Sequence, residues 1–387
     1  MSVCIIRNVR LLSETEPVWS DVLIRDGQIT EICHDREDRF AACESGMEVD
    51  GKGQLLIPGM IDVHIHGADG FDMMDGTLQS LEAVSHACAR TGCTSFLATS
   101  VSSSMDDLMG MLSSVSRFIG KEQGARIAGV HIEGPYLNAK RKGMQNERYL
   151  RHPNVDEMKA ILENAGQLIR MVTLAPELPG GMEMVSFLKE QGIVVSVAHS
   201  DATYEEARQA FQCGASHVTH CFNGMRPIHH REPGVVVAAF EEDHVSVQAI
   251  VDGVHLHPAI VRMLYREKGA DKMVLITDAL QAMGLGDGSY LFGGHRVTVS
   301  QGVAKLEDGT LASSTVTMNE ALAKTVQAGI PLKDAVRMAT ETPATVLGMT
   351  RKGRIAPGMD ADLVLMDDCF NVLWTMVDGE IVYRCVR

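Results

Sequence analysis

Pro58-Gly59-Met60-Ile61-Asp62-Val63-His64-Ile65-His66-Gly67 is the stretch on which the fold turns. The apolar run from Ile61 to His66, bounded by glycines, has the length of a buried strand. Alternate side chains of a strand share a face, so His64 and His66 point the same way and can offer two imidazole nitrogens to one metal ion. A pair of buried, hydrogen-bonded histidines is the alternative for this segment alone.

Seven further apolar runs follow: Thr94 to Thr99, Ile127 to Glu133, Ile169 to Leu174, Ile193 to His199, His217 to Cys221, Val245 to Val251 and Met273 to Asp278. Between them the amphipathic segments Leu78 to Arg90, Asp106 to Phe118, Val155 to Ala165, Met182 to Glu190 and Tyr204 to Gln212 read as helices, and Thr203 with Glu206 frames the last as a capping box. Buried strands alternating with helices predict an α/β fold, a parallel (β/α)8 TIM barrel over residues 56–349; an open doubly wound sheet is the alternative. Both chain ends have a different texture. Val3 to Val9, Val22 to Arg25 and Gln28 to Ile32, then Ala361 to Met366, Val372 to Met376 and Ile381 to Val386, are short strands, with turns at Asp26-Gly27 and Asp378-Gly379. Residues 1–55 and 350–387 are therefore expected to form one small β-sandwich domain.

The 387 residues are 45% apolar and carry 35 Lys and Arg against 50 Asp and Glu, a net charge of -15. That field opposes binding to nucleic acid or an anionic membrane, while a small anion in a locally basic pocket is compatible with it. Nine cysteines, Cys43 among them, are odd in number and never spaced C-x-x-C, as expected of reduced thiols. With no secretory leader and no apolar run of membrane-spanning length, a soluble cytoplasmic protein is expected.

Ligand-type residues recur where the other runs end. The third closes on Val130-His131-Ile132-Glu133-Gly134-Pro135, the fifth on Ala198-His199-Ser200-Asp201, the sixth on Thr219-His220 and the eighth on Thr277-Asp278. These ends converge on one face of a (β/α)8 barrel, the face that carries active sites. His64, His66, His199, His220, Glu133 and Asp278 then surround one centre, a donor set suited to one or two divalent metals per subunit, Zn2+, Fe2+ or Mn2+. His131 shares the face of Glu133 but sits deeper, and is expected behind the centre or in the core.

At this point the residues resemble the amidohydrolase superfamily, through P-G-x-I-D-x-H-x-H, the split β-domain and Gly353-Arg354-Ile355 with Ala361-Asp362-Leu363-Val364. His131 to Tyr136, Ala198 to Ala202, Thr219 to Met225, His229 to Gly234, Asp252 to His255 and Leu275 to Ala279 are similar, more narrowly, to the N-acetylglucosamine-6-phosphate deacetylase family. The resemblance implies hydrolysis of the acetamide of an amino sugar phosphate. It implies a metal on Glu133, His199 and His220, a second on His64 and His66 with Glu133 bridging, and Asp278 as the group that takes a proton from water and returns it to the leaving amine. It implies that Gln145 contacts the substrate carbonyl and that Asn223, Gly224 and His255 form the sugar or phosphate cradle. It also implies that Arg231 binds the 6-phosphate in the neighbouring subunit of a homodimer; a surface salt bridge with Glu232 is the alternative for this arginine. Ala312-Ser313-Ser314 stands where the family more usually has Gly-Ser, and Tyr136 either walls the sugar pocket or packs in the core.

Three rivals remain open. The stretches His220 to Met225 and Thr277 to Gly284 are also similar to N-acetylgalactosamine-6-phosphate deacetylases, whose substrate differs in one hydroxyl. A cyclic-amide hydrolase or deaminase would commonly carry a lysine at the end of the fourth strand, where this chain has Val172-Thr173-Leu174-Ala175-Pro176. A non-catalytic sugar-phosphate sensor would be expected to have lost part of the six-residue set.

Overall fold

A computed structural model describes residues 2–13, 17–34 and 46–385; Cys43 and Val386 lie outside the described residues. All eight apolar runs are strands of one parallel sheet: β1 (Met60–Ile65), β2 (Cys93–Thr99), β3 (Arg126–Glu133), β4 (Ile169–Leu174), β5 (Val194–Val197), β6 (His217–Val218), β7 (Ser246–Ile250) and β8 (Met273–Ile276). They pair in chain order from β1 to β8. The sheet closes on itself through a parallel bridge between Ile65 and Ala279, which excludes the open doubly wound alternative. The first, fifth, sixth and eighth strands stop short of the ends expected for their runs, so His66, His199, His220 and Asp278 lie just beyond them.

Helices α1 (Leu78–Arg90), α2 (Met105–Phe118), α3 (Val155–Ala165), α4 (Gly181–Glu190) and α5 (Tyr204–Cys213) coincide with the amphipathic segments, and Thr203 and Glu206 make the expected capping box. The helices α6 (Gly234–Glu241), α7 (Pro258–Lys268) and α8 (Met318–Gln327) complete the alternation, with two short helices, Leu332–Ala339 and Glu341–Val346, after them. Helix α6 reads Gly-Val-Val-Val-Ala-Ala-Phe-Glu, almost apolar all round, so it has no polar face to set a 3.6-residue period. Between β8 and α8 a three-stranded antiparallel sheet, Gly288–Phe292, His295–Ser300 and Val303–Lys305, interrupts the pattern.

The chain ends share one branched sheet. Val3–Leu11 pairs antiparallel with Val18–Arg25 and runs parallel to both Met47–Asp50 and Leu55–Pro58, which in turn pairs antiparallel with Leu363–Met366. Leu55–Pro58 and Leu363–Met366 are the seam with the barrel. Alternate residues face opposite ways: Leu56, Leu363 and Leu365 join Ile6, Val22, Ile24 and Trp374 in the core of the small sheet, while Leu55, Ile57, Val364 and Met366 join the barrel core. The eight described cysteines are free thiols.

Candidate metal centre and active site

Strand β1 carries His64, and His66 follows its last residue, Ile65; both are buried and turn their rings toward the same centre. Glu133 ends β3, and His199, His220 and Asp278 each sit within two residues of the ends of β5, β6 and β8. At those three the backbone is left-handed, with φ of 46°, 30° and 50°. A left-handed residue cannot continue a strand, so each turns the chain and aims its side chain across the barrel mouth.

The imidazoles are held by their outer nitrogens. Nδ1 of His64 lies 3.0 Å from Gln248 Oε1, that of His66 3.3 Å from the Thr99 carbonyl, that of His199 2.9 Å from the Arg141 carbonyl and that of His220 3.1 Å from the Asn223 carbonyl. These oxygens only accept, so every Nδ1 donates and every Nε2 faces the centre. There, His64 and His66 bring Nε2 to within 3.0 Å of each other, and His199 and His220 to within 3.1 Å. Two nitrogen lone pairs that close repel unless a proton or a cation lies between them.

Glu133 lies between the two pairs, with Oε1 also 3.7 Å from His64 Nε2. Oε1 is 3.0 Å from His220 Nε2 and 3.3 Å from His199 Nε2, while Oε2 is 3.5 Å from His66 Nε2. Asp278 Oδ1 stands 3.2 Å from His66 Nε2 and 3.5 Å from His64 Nε2. Two triads, His64, His66, Glu133 and Glu133, His199, His220, thus share a carboxylate, each with ligand atoms within 4.8 Å of one another. Imidazole and carboxylate converging in this way fit a divalent cation in each triad.

Electrostatics agree with that donor set. Burial drives His64 down to about 4. Burial opposes the charge on His66 too, but its hydrogen bond to Asp278 and the field of both carboxylates prevail and lift it to about 9; His220 is raised against burial in the same way by Glu133. Burial likewise opposes ionisation of Glu133 and Asp278, and the surrounding imidazoles hold both below the usual carboxylate range.

Above the centre opens a cavity of about 240 Å3 lined by Glu133, His199, His220, Asp278, Gln145, Asn223, Gly224 and His255, together with Gly143, Met144, Thr310, Leu311 and Ser313. His64 and His66 do not line it; the ring of Phe292, from the inserted sheet, packs 5.3 Å from that of His66. Gln145 donates from Nε2 to Glu133 Oε2 at 2.7 Å and accepts the Ser102 N–H at Oε1, also at 2.7 Å. His255 is held through Nδ1, 2.6 Å from Asp252 Oδ2. Gly224 has φ of 61°, and a Cβ there would stand 2.8 Å from His199 Nδ1, so glycine keeps the His199 ring in place.

Arg231 is exposed and does not line the cavity of its own chain; its guanidinium lies 2.7 Å from His230 Nε2, and Glu232 instead accepts the Tyr204 N–H. His131 is a core histidine, with Nε2 2.7 Å from Thr173 Oγ1 and Nδ1 3.2 Å from the Val63 carbonyl. Tyr136 does not wall the pocket: it is fully buried and donates to Glu157 of α3 at 2.6 Å. Gln248 of β7, which orients His64 and also accepts the His220 N–H at 3.3 Å, is missing from the residues picked out by sequence. A lone glutamine inside an apolar strand was its only signal.

The sequence model of the amidohydrolase family matches residues 55–382. The chain is 38% identical to the N-acetylglucosamine-6-phosphate deacetylase of Lysinibacillus sphaericus over 97% of each chain. It is 34% identical to the N-acetylgalactosamine-6-phosphate deacetylase of Escherichia coli O157:H7, over 85% of this chain and 88% of that one. Among solved structures, a mutant N-acetyl-D-glucosamine-6-phosphate deacetylase from Mycobacterium smegmatis, in complex with N-acetyl-D-glucosamine-6-phosphate, superposes with a TM-score of 0.90 at 33% identity, covering 98% of this chain and 99% of that chain.

Proposed function

The chain belongs to the amidohydrolase family, and we propose that it hydrolyses the acetamide of N-acetyl-D-glucosamine 6-phosphate to D-glucosamine 6-phosphate and acetate. The observation that carries this is Glu133 shared between two histidine pairs, with Asp278 beside it, where Glu133, His199, His220 and Asp278 open onto the cavity.

In this assignment Glu133, His199 and His220 hold one divalent cation, and His64 and His66 with Glu133 hold a second. A divalent cation held there, Zn2+, Fe2+ or Mn2+ by donor chemistry, would supply Lewis acidity for amide hydrolysis. Asp278 accepts the water proton and delivers it to the nitrogen, because an amine must leave protonated. Gln145 has one N–H on Glu133 and its oxygen on Ser102, which leaves the second N–H for the substrate carbonyl. Asn223, Gly224 and His255 cradle the sugar phosphate. Asp252 accepts from His255 Nδ1, which fixes the orientation of the ring at the cavity wall. Arg231, exposed and outside its own cavity, reaches the 6-phosphate in the other subunit of a homodimer.

Residues 56–349 form the catalytic domain, and 1–55 with 350–387 the small one, in keeping with their separate cores. Cytoplasmic residence accords with the free thiols and with the absence, among the described residues, of any helix long and apolar enough to cross a membrane.

Acetate release from N-acetylglucosamine 6-phosphate, N-acetylgalactosamine 6-phosphate and unphosphorylated N-acetylglucosamine, with protein reconstituted separately with each metal, tests the assignment. Preference for the phosphorylated gluco sugar supports it. Preference for the galacto sugar moves it to the epimer, and no turnover with any metal overturns it.

A further inference from the structure

We infer that Ser313 is a positioning residue, which holds the Asp278 carboxylate so that one defined oxygen faces the substrate. Ser313 is buried at the cavity wall and has φ of 60°, a left-handed conformation that costs a serine more than a glycine. Its neighbours dictate that conformation. The Ala312 N–H bonds the Ala304 carbonyl of the inserted sheet at 3.1 Å, and the Ser314 N–H bonds the Asp278 carbonyl at 2.8 Å. Pinned on both sides, the chain directs Ser313 Oγ to 3.3 Å from Asp278 Oδ1.

Asp278 is itself left-handed, and its N–H bonds the His64 carbonyl at 2.8 Å. Among the described residues its side-chain polar contacts, to His64, His66 and Ser313, all run through Oδ1. Oδ2 is thereby left for the cavity, and the Ser313 hydroxyl opposes the rotation that would exchange the two oxygens. A hydroxyl retained at a backbone position that favours glycine is what sets this residue apart from the rest of the wall.

The inference rests on the assignment of proton transfer to Asp278, and its test separates the two. Ser313→Gly removes the hydroxyl and the backbone strain together; Ser313→Ala removes the hydroxyl alone. Both metal-loaded variants should lose roughly tenfold in kcat on N-acetylglucosamine 6-phosphate, with KM within about twofold of the parent. Metal content should equal that of the parent. In a crystal structure of metal-loaded Ser313→Gly the carboxylate should leave its parental orientation. Unchanged kcat in both variants, a loss in Ser313→Ala alone, or a rise in KM at constant kcat overturns the inference, as does an unmoved carboxylate whatever the kinetics. A parent without activity on the sugar phosphate, but with the carboxylate rotated in Ser313→Gly, overturns the functional assignment and leaves the positioning intact.

Discussion

His199, His220 and Asp278 combine a side chain suited to chemistry with a backbone that few non-glycine residues adopt. Such residues cost about 1–3 kcal/mol each and persist only where surrounding bonds enforce them, and here the rings of His199 and His220 are tied to fixed carbonyls. Glu133 is the residue the two triads have in common, so Glu133→Ala should empty both, whereas the double change His64→Ala with His66→Ala should leave one ion per subunit; metal analysis after gel filtration checks both. Gly224 supports the same centre from behind. Gly224→Ala should lower metal affinity and cost about 1–3 kcal/mol of stability, through the left-handed backbone and a Cβ against His199, read by metal titration and by a urea midpoint. The histidines and carboxylates were legible in the sequence because each ends an apolar run. The carbonyls of Thr99, Arg141 and Asn223 were not, since a backbone acceptor has no residue type to announce it, and Gln248 is a lone side chain inside an apolar strand whose partners are distant in the chain.

The eight strands were readable as elements because each is a short, bounded apolar run, and five helices because each has one apolar face. Helix α6 has no such face and the inserted sheet has no place in a β/α alternation, yet that sheet brings Phe292 against His66 and leads into the wall with Ser313. The closure between β1 and β8 is an element-level joint with few backbone bonds. Asp62 supplies what the ladder lacks: its carboxylate accepts the His64 N–H at 3.1 Å, the Thr277 N–H at 3.4 Å and the Thr277 hydroxyl. Thr277→Val, nearly isosteric, removes one donor to a buried carboxylate. It should destabilise the protein by about 1.5–3 kcal/mol, seen as a lower urea midpoint with unchanged m-value.

For the whole molecule, acid stability and substrate charge offer two further tests. His217 is buried, its Nε2 has no hydrogen-bond partner among the described residues, and burial holds it down at about 3. The unfolded chain takes up a proton there below its ordinary value of 6.5, while the folded chain does not until near 3. Stability is therefore whole above pH 6.5 and falls on acidification, by up to about 1.4 kcal/mol per pH unit from this group. His217→Gln should flatten that slope in denaturation measured between pH 6.5 and 5. Arg231→Ala should raise KM for the phosphorylated sugar by an amount worth about 1.5–3 kcal/mol and leave turnover of the unphosphorylated sugar unchanged, as steady-state kinetics on both sugars would register. The barrel, the sheet built from both chain ends and the gathering of histidines and carboxylates at the barrel mouth were open to reading from the chain alone, because strand alternation and barrel topology place the ends of apolar runs on one face. That the histidines turn Nε2 inward, that one carboxylate lies between both pairs and that Ser313 meets Asp278 emerges only in the folded chain. Those facts depend on hydrogen bonds between residues far apart in the chain, whose geometry no local pattern encodes.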